Sequence, residues 1–112
     1  MSQITTHVLD TALGRPAQGV PISLEFEEPD REGWDPVADG VTNADGRIGD
    51  LTDDVVAPGR YRITFDTEAY FAATGQTAFF PSVALEFWVA AGEQYHVPLL
   101  LSPYGVSSYR GS

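Results

Sequence analysis

Val20-Pro21-Ile22-Ser23-Leu24-Glu25-Phe26 sets an apolar side chain at every even position and none of the same kind between them, Pro21 apart. A β-strand turns successive side chains to opposite faces, so this alternation predicts a strand with one face on a core. The pattern recurs along the chain. Ile4, Thr6 and Val8 alternate with Thr5, His7 and Leu9, and Trp34 to Val41 reads as a strand crossing an Asp39-Gly40 turn signal. Pro58-Gly59 opens the alternating run Tyr61 to Phe65, and Val83 to Val89 and Gln94 to Leu101 are the last long strands. Beyond Ser102-Pro103-Tyr104-Gly105, a turn by composition, Val106 to Tyr109 reads as a short strand. Turn residues punctuate 12–19 and form a loop over Thr42-Asn43-Ala44-Asp45-Gly46-Arg47. Only Glu68 to Thr74 reads as helix, with Thr67 as its N-cap and Gly75 closing it. Seven or eight short strands separated by turns predict an all-β, antiparallel β-sandwich. Pro98 conflicts with an interior strand, because proline donates nothing to a ladder; a bulge or an unpaired edge would accommodate it.

At 112 residues the chain is expected to form one domain over 1–112, with a single core. No apolar run approaches the ~20 residues of a membrane span, and no basic-then-apolar leader opens the sequence, so a cytoplasmic location is expected. Sixteen acids against six bases leave a net charge of −10. That surface disfavours nucleic acid and anionic membranes, whose phosphates need a basic partner. All six bases are arginine, and there is neither lysine nor cysteine. Schiff-base chemistry, thiolate nucleophiles and thiolate metal sites are thereby excluded. Any chemistry rests on His, Arg, Tyr, Ser, Asp and Glu.

The two histidines stand out by their faces. In the first strand Ile4 and Val8 are the core set, so His7 points outward with Thr5 and Leu9. In the penultimate strand Tyr95, Val97, Leu99 and Leu101 face the core, so His96 points outward with Gln94, Pro98 and Leu100. If the two strands share a sheet, both imidazoles lie on its outer face beside Leu9 and Leu100. A solvated face rarely carries two leucines, so a second subunit is expected to cover it. No ligand spacing for a metal accompanies the histidines, Asp10 being the nearest acid in sequence. A Gly-x-Ser-x-Gly elbow for a serine nucleophile is also lacking. Activation of water by imidazole fits better, since its ordinary pKa of ~6.5 suits neutral pH.

Four stretches carry a family resemblance: Thr6-His7-Val8-Leu9-Asp10 with Gly14-Arg15-Pro16-Ala17; Thr42 to Arg47; Tyr95-His96-Val97-Pro98-Leu99-Leu100-Leu101-Ser102-Pro103-Tyr104-Gly105; and the terminal Tyr109-Arg110-Gly111-Ser112. Together they resemble the 5-hydroxyisourate hydrolases, the purine-catabolic branch of the transthyretin family, from the first strand to the last residue. The terminal tetrapeptide is the most specific part, because it separates the enzymes from the hormone carriers. Val106-Ser107-Ser108 departs from the family, which more often has an aromatic and a threonine there.

The resemblance implies a transthyretin-like sandwich of two four-stranded sheets with one short helix. It implies a homotetramer, a dimer of dimers, with active sites on the sheet face that carries the histidines. The implied reaction is hydrolysis of 5-hydroxyisourate to 2-oxo-4-hydroxy-4-carboxy-5-ureidoimidazoline in urate degradation, with no cofactor. The family places catalysis on His7, Arg47, His96 and Ser112, and substrate binding on His7, Arg47, Tyr109, Arg110 and Gly111. Those residue types suit the chemistry. An imidazole, His7 by preference, takes the proton of water and returns it to the leaving nitrogen. The planar fork of Arg47 holds a carbonyl or a developing oxyanion. By alternation Arg110 points away from Tyr109, which suits bracing a contact as well as touching substrate. The alternative is a non-catalytic small-ligand carrier of the transthyretin type, on the same fold.

Overall fold

The computed structural model describes residues 2–111. Among these residues eight strands and one helix follow in the order β1 (Ile4–Asp10), β2 (Arg15–Pro16), β3 (Pro21–Glu27), β4 (Trp34–Val41), β5 (Gly59–Phe65), α1 (Thr67–Ala73), β6 (Val83–Val89), β7 (Tyr95–Ser102) and β8 (Gly105–Ser108). They build two four-stranded sheets, ordered β2-β1-β7-β8 and β4-β3-β5-β6. The two-residue β2 lies within the stretch read as turns; it pairs Leu9 with Pro16 and Asp10 with Arg15. No helix among the described residues is long and apolar enough to cross a membrane.

The alternation that defined the strands also defines the core. Val20, Ile22 and Leu24 from the first quoted stretch are buried with Ile4, Val8, Ile63, Phe65, Leu99 and Leu101. Each such side chain contributes about 1.5–3 kcal/mol on burial. Phe26, partly buried, packs its ring 5.0 Å from that of Tyr61. Pro21 stands at the first position of its strand, where a missing N–H is tolerated.

Among the described residues every strand pairing is antiparallel except one. β1 and β7, the central pair of their sheet, run parallel, with Thr5 opposite His96, His7 opposite Pro98 and Leu9 opposite Leu100. Parallel neighbours need a long crossover, and here the whole second sheet and the helix supply it.

Pro98 therefore lies in an interior strand, not at an edge. The amide of Tyr95 donates to Gln3 on the β1 side, so by alternation the backbone of His96 and Pro98 faces the other neighbour. There the β8 ladder ends at Leu99 opposite Ser108. The same register resumes where Gly111 bridges His96. The interruption falls where Pro98 has no proton to give, and its carbonyl instead accepts from the Ser108 hydroxyl at 2.7 Å.

The helix corrects one expectation. Its N-cap is Asp66, whose carboxylate accepts from the Ala69 amide at 3.0 Å; Thr67 is already helical and fully buried. The Thr67 hydroxyl is occupied elsewhere, donating to the Phe80 carbonyl at 2.5 Å. Gly75 ends the helix as expected, at φ 71°. Asp10, at the end of β1, ties the helix down. Its buried carboxylate accepts from the Ala12 and Leu13 amides, from the Tyr70 hydroxyl at 2.6 Å and from Gln76. Burial pushes this carboxyl up, but the bonds from Tyr70, Leu13, Gln76 and Ala12 prevail and hold it below its ordinary value. Burial and the Asp10 carboxylate together push the Tyr70 hydroxyl up.

Candidate active site

Parallel pairing of β1 with β7 brings the two outward sets side by side. Thr5, His7 and Leu9 lie along one strand and His96, Pro98 and Leu100 along the other. Both imidazoles are partly buried, on the face opposite the core, as alternation predicts.

Arg47 arrives from a loop whose own bonds fix its shape. The Asn43 side-chain oxygen accepts from the amides of Asp45 and Arg47, and the Asn43 amide donates to the Arg47 carbonyl at 2.8 Å. Gly46 then docks the loop on β1, its carbonyl accepting from the Val8 amide at 2.8 Å. Its φ of 75° and its closeness to β1 both require glycine. Arg47 thus bridges His7, and its Nη2 lies 3.4 Å from His7 Nδ1. A guanidinium only donates, so Nδ1 meets it as an acceptor.

His96 is held from both sides. Its Nδ1 is 2.9 Å from the Thr5 hydroxyl. Its carbonyl accepts from the Gly111 amide at 2.8 Å, and Gly111 lies so close that an added Cβ would stand 2.6 Å from the ring carbon Cδ2. Burial first, then the charges of Arg47 and His7, hold this imidazole below its ordinary 6.5.

A cleft of 460 Å³ opens beside Arg47 and His96, lined by Ser2, Gln3, Thr5, Arg47, Gly49, Gln94, Tyr95 and His96; His7 meets Arg47 but is not among the lining residues. That size suits a small molecule. A larger hollow of 740 Å³ is lined by Val37 and by residues from Asp50 to Val56 and holds neither histidine nor arginine. Its size is not matched by chemistry.

The terminal segment divides between two sides. By register Tyr109 and Gly111 belong with the outer face, and the Tyr109 ring is exposed. Arg110 lies over the Tyr95 ring, 4.5 Å from its centroid, and its Nη2 is 3.6 Å from Glu93. It is not brought to the imidazoles. Ser112 lies outside the described residues. Sequence reasoning passed over Thr5 as a functional group: alternation put it on the right face, but only the parallel register sets it opposite His96.

Fold and site together define a transthyretin-type β-sandwich whose outer sheet face carries imidazole and guanidinium groups around a small cleft. The HIUase/Transthyretin family matches residues 4–111, and the chain belongs to it. It is 46% identical to the 5-hydroxyisourate hydrolase of Mus musculus, over 99% of this chain and 96% of that protein. Among solved structures, 5-hydroxyisourate hydrolase of Klebsiella pneumoniae superposes with a TM-score of 0.85 at 38% identity, covering 97% of this chain and 98% of the other. Sea bream transthyretin in complex with thyroxine superposes with a TM-score of 0.90 at 32% identity, covering 97% and 94%. The backbone is shared by enzyme and carrier alike, so the side chains decide between them.

Proposed function

We infer that this chain is an enzyme of urate degradation that hydrolyses 5-hydroxyisourate to 2-oxo-4-hydroxy-4-carboxy-5-ureidoimidazoline. The observation that carries the reading is the meeting of His7, Arg47 and His96 on one face, beside a cleft of 460 Å³, in a chain so similar to named hydrolases. A carrier of an apolar hormone has no use for two imidazoles and a guanidinium at that place.

The geometry suggests the roles. His7 Nδ1 carries a lone pair beside Arg47; with the guanidinium turned to the substrate oxygen, that lone pair is free to take the proton of a water as it attacks the acyl carbon. Arg47 stays charged throughout and takes the oxygen on which negative charge develops. His7 then returns the proton to the departing ring nitrogen. His96, whose Nδ1 is engaged by Thr5, presents Nε2 as the second proton-carrying or hydrogen-bonding position. Tyr109 and Gly111 close the substrate-binding side, and the catalytic role of Ser112 is carried over from the family resemblance alone. Arg110 contributes by bracing the terminal segment against Tyr95.

In the same proposal residues 1–112 form one domain, working in the cytoplasm as a homotetramer, a dimer of dimers. Leu9 and Leu100, on the same face as the histidines, support a covering subunit there. Freshly generated 5-hydroxyisourate followed in the ultraviolet tests the activity. Decay no faster with the protein than without it, in a preparation of verified fold, would leave the carrier reading in its place.

A further inference from the structure

We propose that Thr5 is a positioning residue for His96, its hydroxyl serving as a rotor that satisfies Nδ1 in either tautomer and leaves Nε2 free to carry a lone pair or a proton. This rests on the hydrolase reading of the same site and adds to it a residue outside the set already assigned.

The hydroxyl oxygen of Thr5 stands 2.9 Å from His96 Nδ1 and 3.4 Å from the Tyr95 carbonyl, so it has two partners and one proton. A hydroxyl also accepts, and that makes two arrangements possible. In the first, Thr5 donates to Nδ1 and the ring proton sits on Nε2. In the second, the ring proton sits on Nδ1 and is donated to Thr5, which turns its own proton to the Tyr95 carbonyl; Nε2 then bears a lone pair. Protonation of Nε2 from the second state needs no further change at Thr5. No proton is gained or lost in moving between the two neutral states.

The placement is built by the fold. Thr5 and His96 are directly opposite in the parallel ladder, and Gly111 packs against the ring, limiting its rotation. The charged and titratable groups on this ring are His7 from β1 and Arg47 from the loop, with Tyr109 on the same face by register. None of these touches Nδ1 in the way Thr5 does.

The test compares Thr5→Val with Thr5→Ser. Valine keeps the shape and the strand preference while removing the hydroxyl; serine keeps the hydroxyl. Ring-nitrogen NMR of ¹⁵N-labelled protein reports the His96 tautomer, assigned by loss of its signals in His96→Gln. Wild type and Thr5→Ser should show both tautomers. Thr5→Val should collapse to the Nε2–H form, with kcat lowered ~10-fold or more, KM little changed and the acid limb of the pH profile displaced. An unchanged tautomer balance in Thr5→Val, or a serine variant as impaired as the valine one, overturns the proposal. The NMR readout needs no turnover, so a protein without hydrolase activity would remove the reading of function and still decide the role of Thr5.

Discussion

The carbonyl oxygen of Val8 occupies the space that a Cβ on Gly46 would need. The loop that delivers Arg47 is therefore pressed onto β1 with no room for a side chain between them. Gly46→Ala meets two obstacles, the backbone contact and a φ of 75°, and should cost about 1–3 kcal/mol. It should also move Arg47 away from His7, and a displacement of ~1 Å is enough to slow the reaction ~10²-fold. Thermal unfolding and the ring-opening rate check both; wild-type turnover would show that the docked loop does not position Arg47.

His7→Ala and Arg47→Ala separate chemistry from folding. Each should lower the catalysed rate by at least ~10²-fold, the range for loss of a general base or an oxyanion donor. Melting temperatures should hardly change, since both side chains leave the core. A variant that turns over at the normal rate removes its residue from the mechanism.

The fold was legible because the chain alternates so regularly. Val20, Ile22 and Leu24 are buried where the pattern put them, and the outward turn of His7 and His96 followed from the same parity. What parity cannot show is pairing across long sequence separation. The parallel register that sets Thr5 against His96 joins strands 91 residues apart. The break at Pro98 likewise depends on which neighbour its nitrogen faces. At the helix start Thr67 was read as the cap, but its hydroxyl goes to the Phe80 carbonyl and the Asp66 carboxylate caps instead, a choice that depends on a residue distant in sequence. Arg47 was legible only through the family resemblance, because a loop arginine after a turn looks the same whether or not it meets a histidine.

Asp10 links stability to pH. Its folded-state pKa lies below the ordinary 3.8, so its contribution is fully present above that value and is lost as pH falls through the folded one. Asp10→Asn should cost about 1–3 kcal/mol at neutral pH, because the Tyr70 and Gln76 donors lose their ionised partner. Denaturant unfolding of both proteins between neutral pH and pH ~3 should show the gap narrowing as the acid is titrated. A gap that stays constant would mean that the charge on Asp10 contributes nothing.

Assembly is checked on the same outward face. Leu100→Glu puts a charge where a covering subunit is expected, and should split a tetramer into dimers with loss of turnover. Light scattering with a parallel rate assay measures both. A monomeric wild-type protein that remains fully active would show that this face needs no cover.

The chain end supplies the last prediction. Gly111 donates its amide to the His96 carbonyl and lies close to the imidazole, so that an added Cβ would stand only 2.6 Å from Cδ2. Gly111→Ala must therefore either push the segment off β7 or rotate the His96 ring away from Thr5. Both outcomes disturb the site and neither touches the core. The expected result is a rate lowered ~10-fold or more with a melting temperature close to wild type. Deleting Tyr109 to Ser112 should go further and abolish turnover, while the sandwich persists, because the β8 ladder ends at Ser108 and β7 keeps its parallel partner. Circular dichroism distinguishes lost chemistry from lost fold in each case. Full activity in the four-residue deletion would detach the terminal segment from the mechanism.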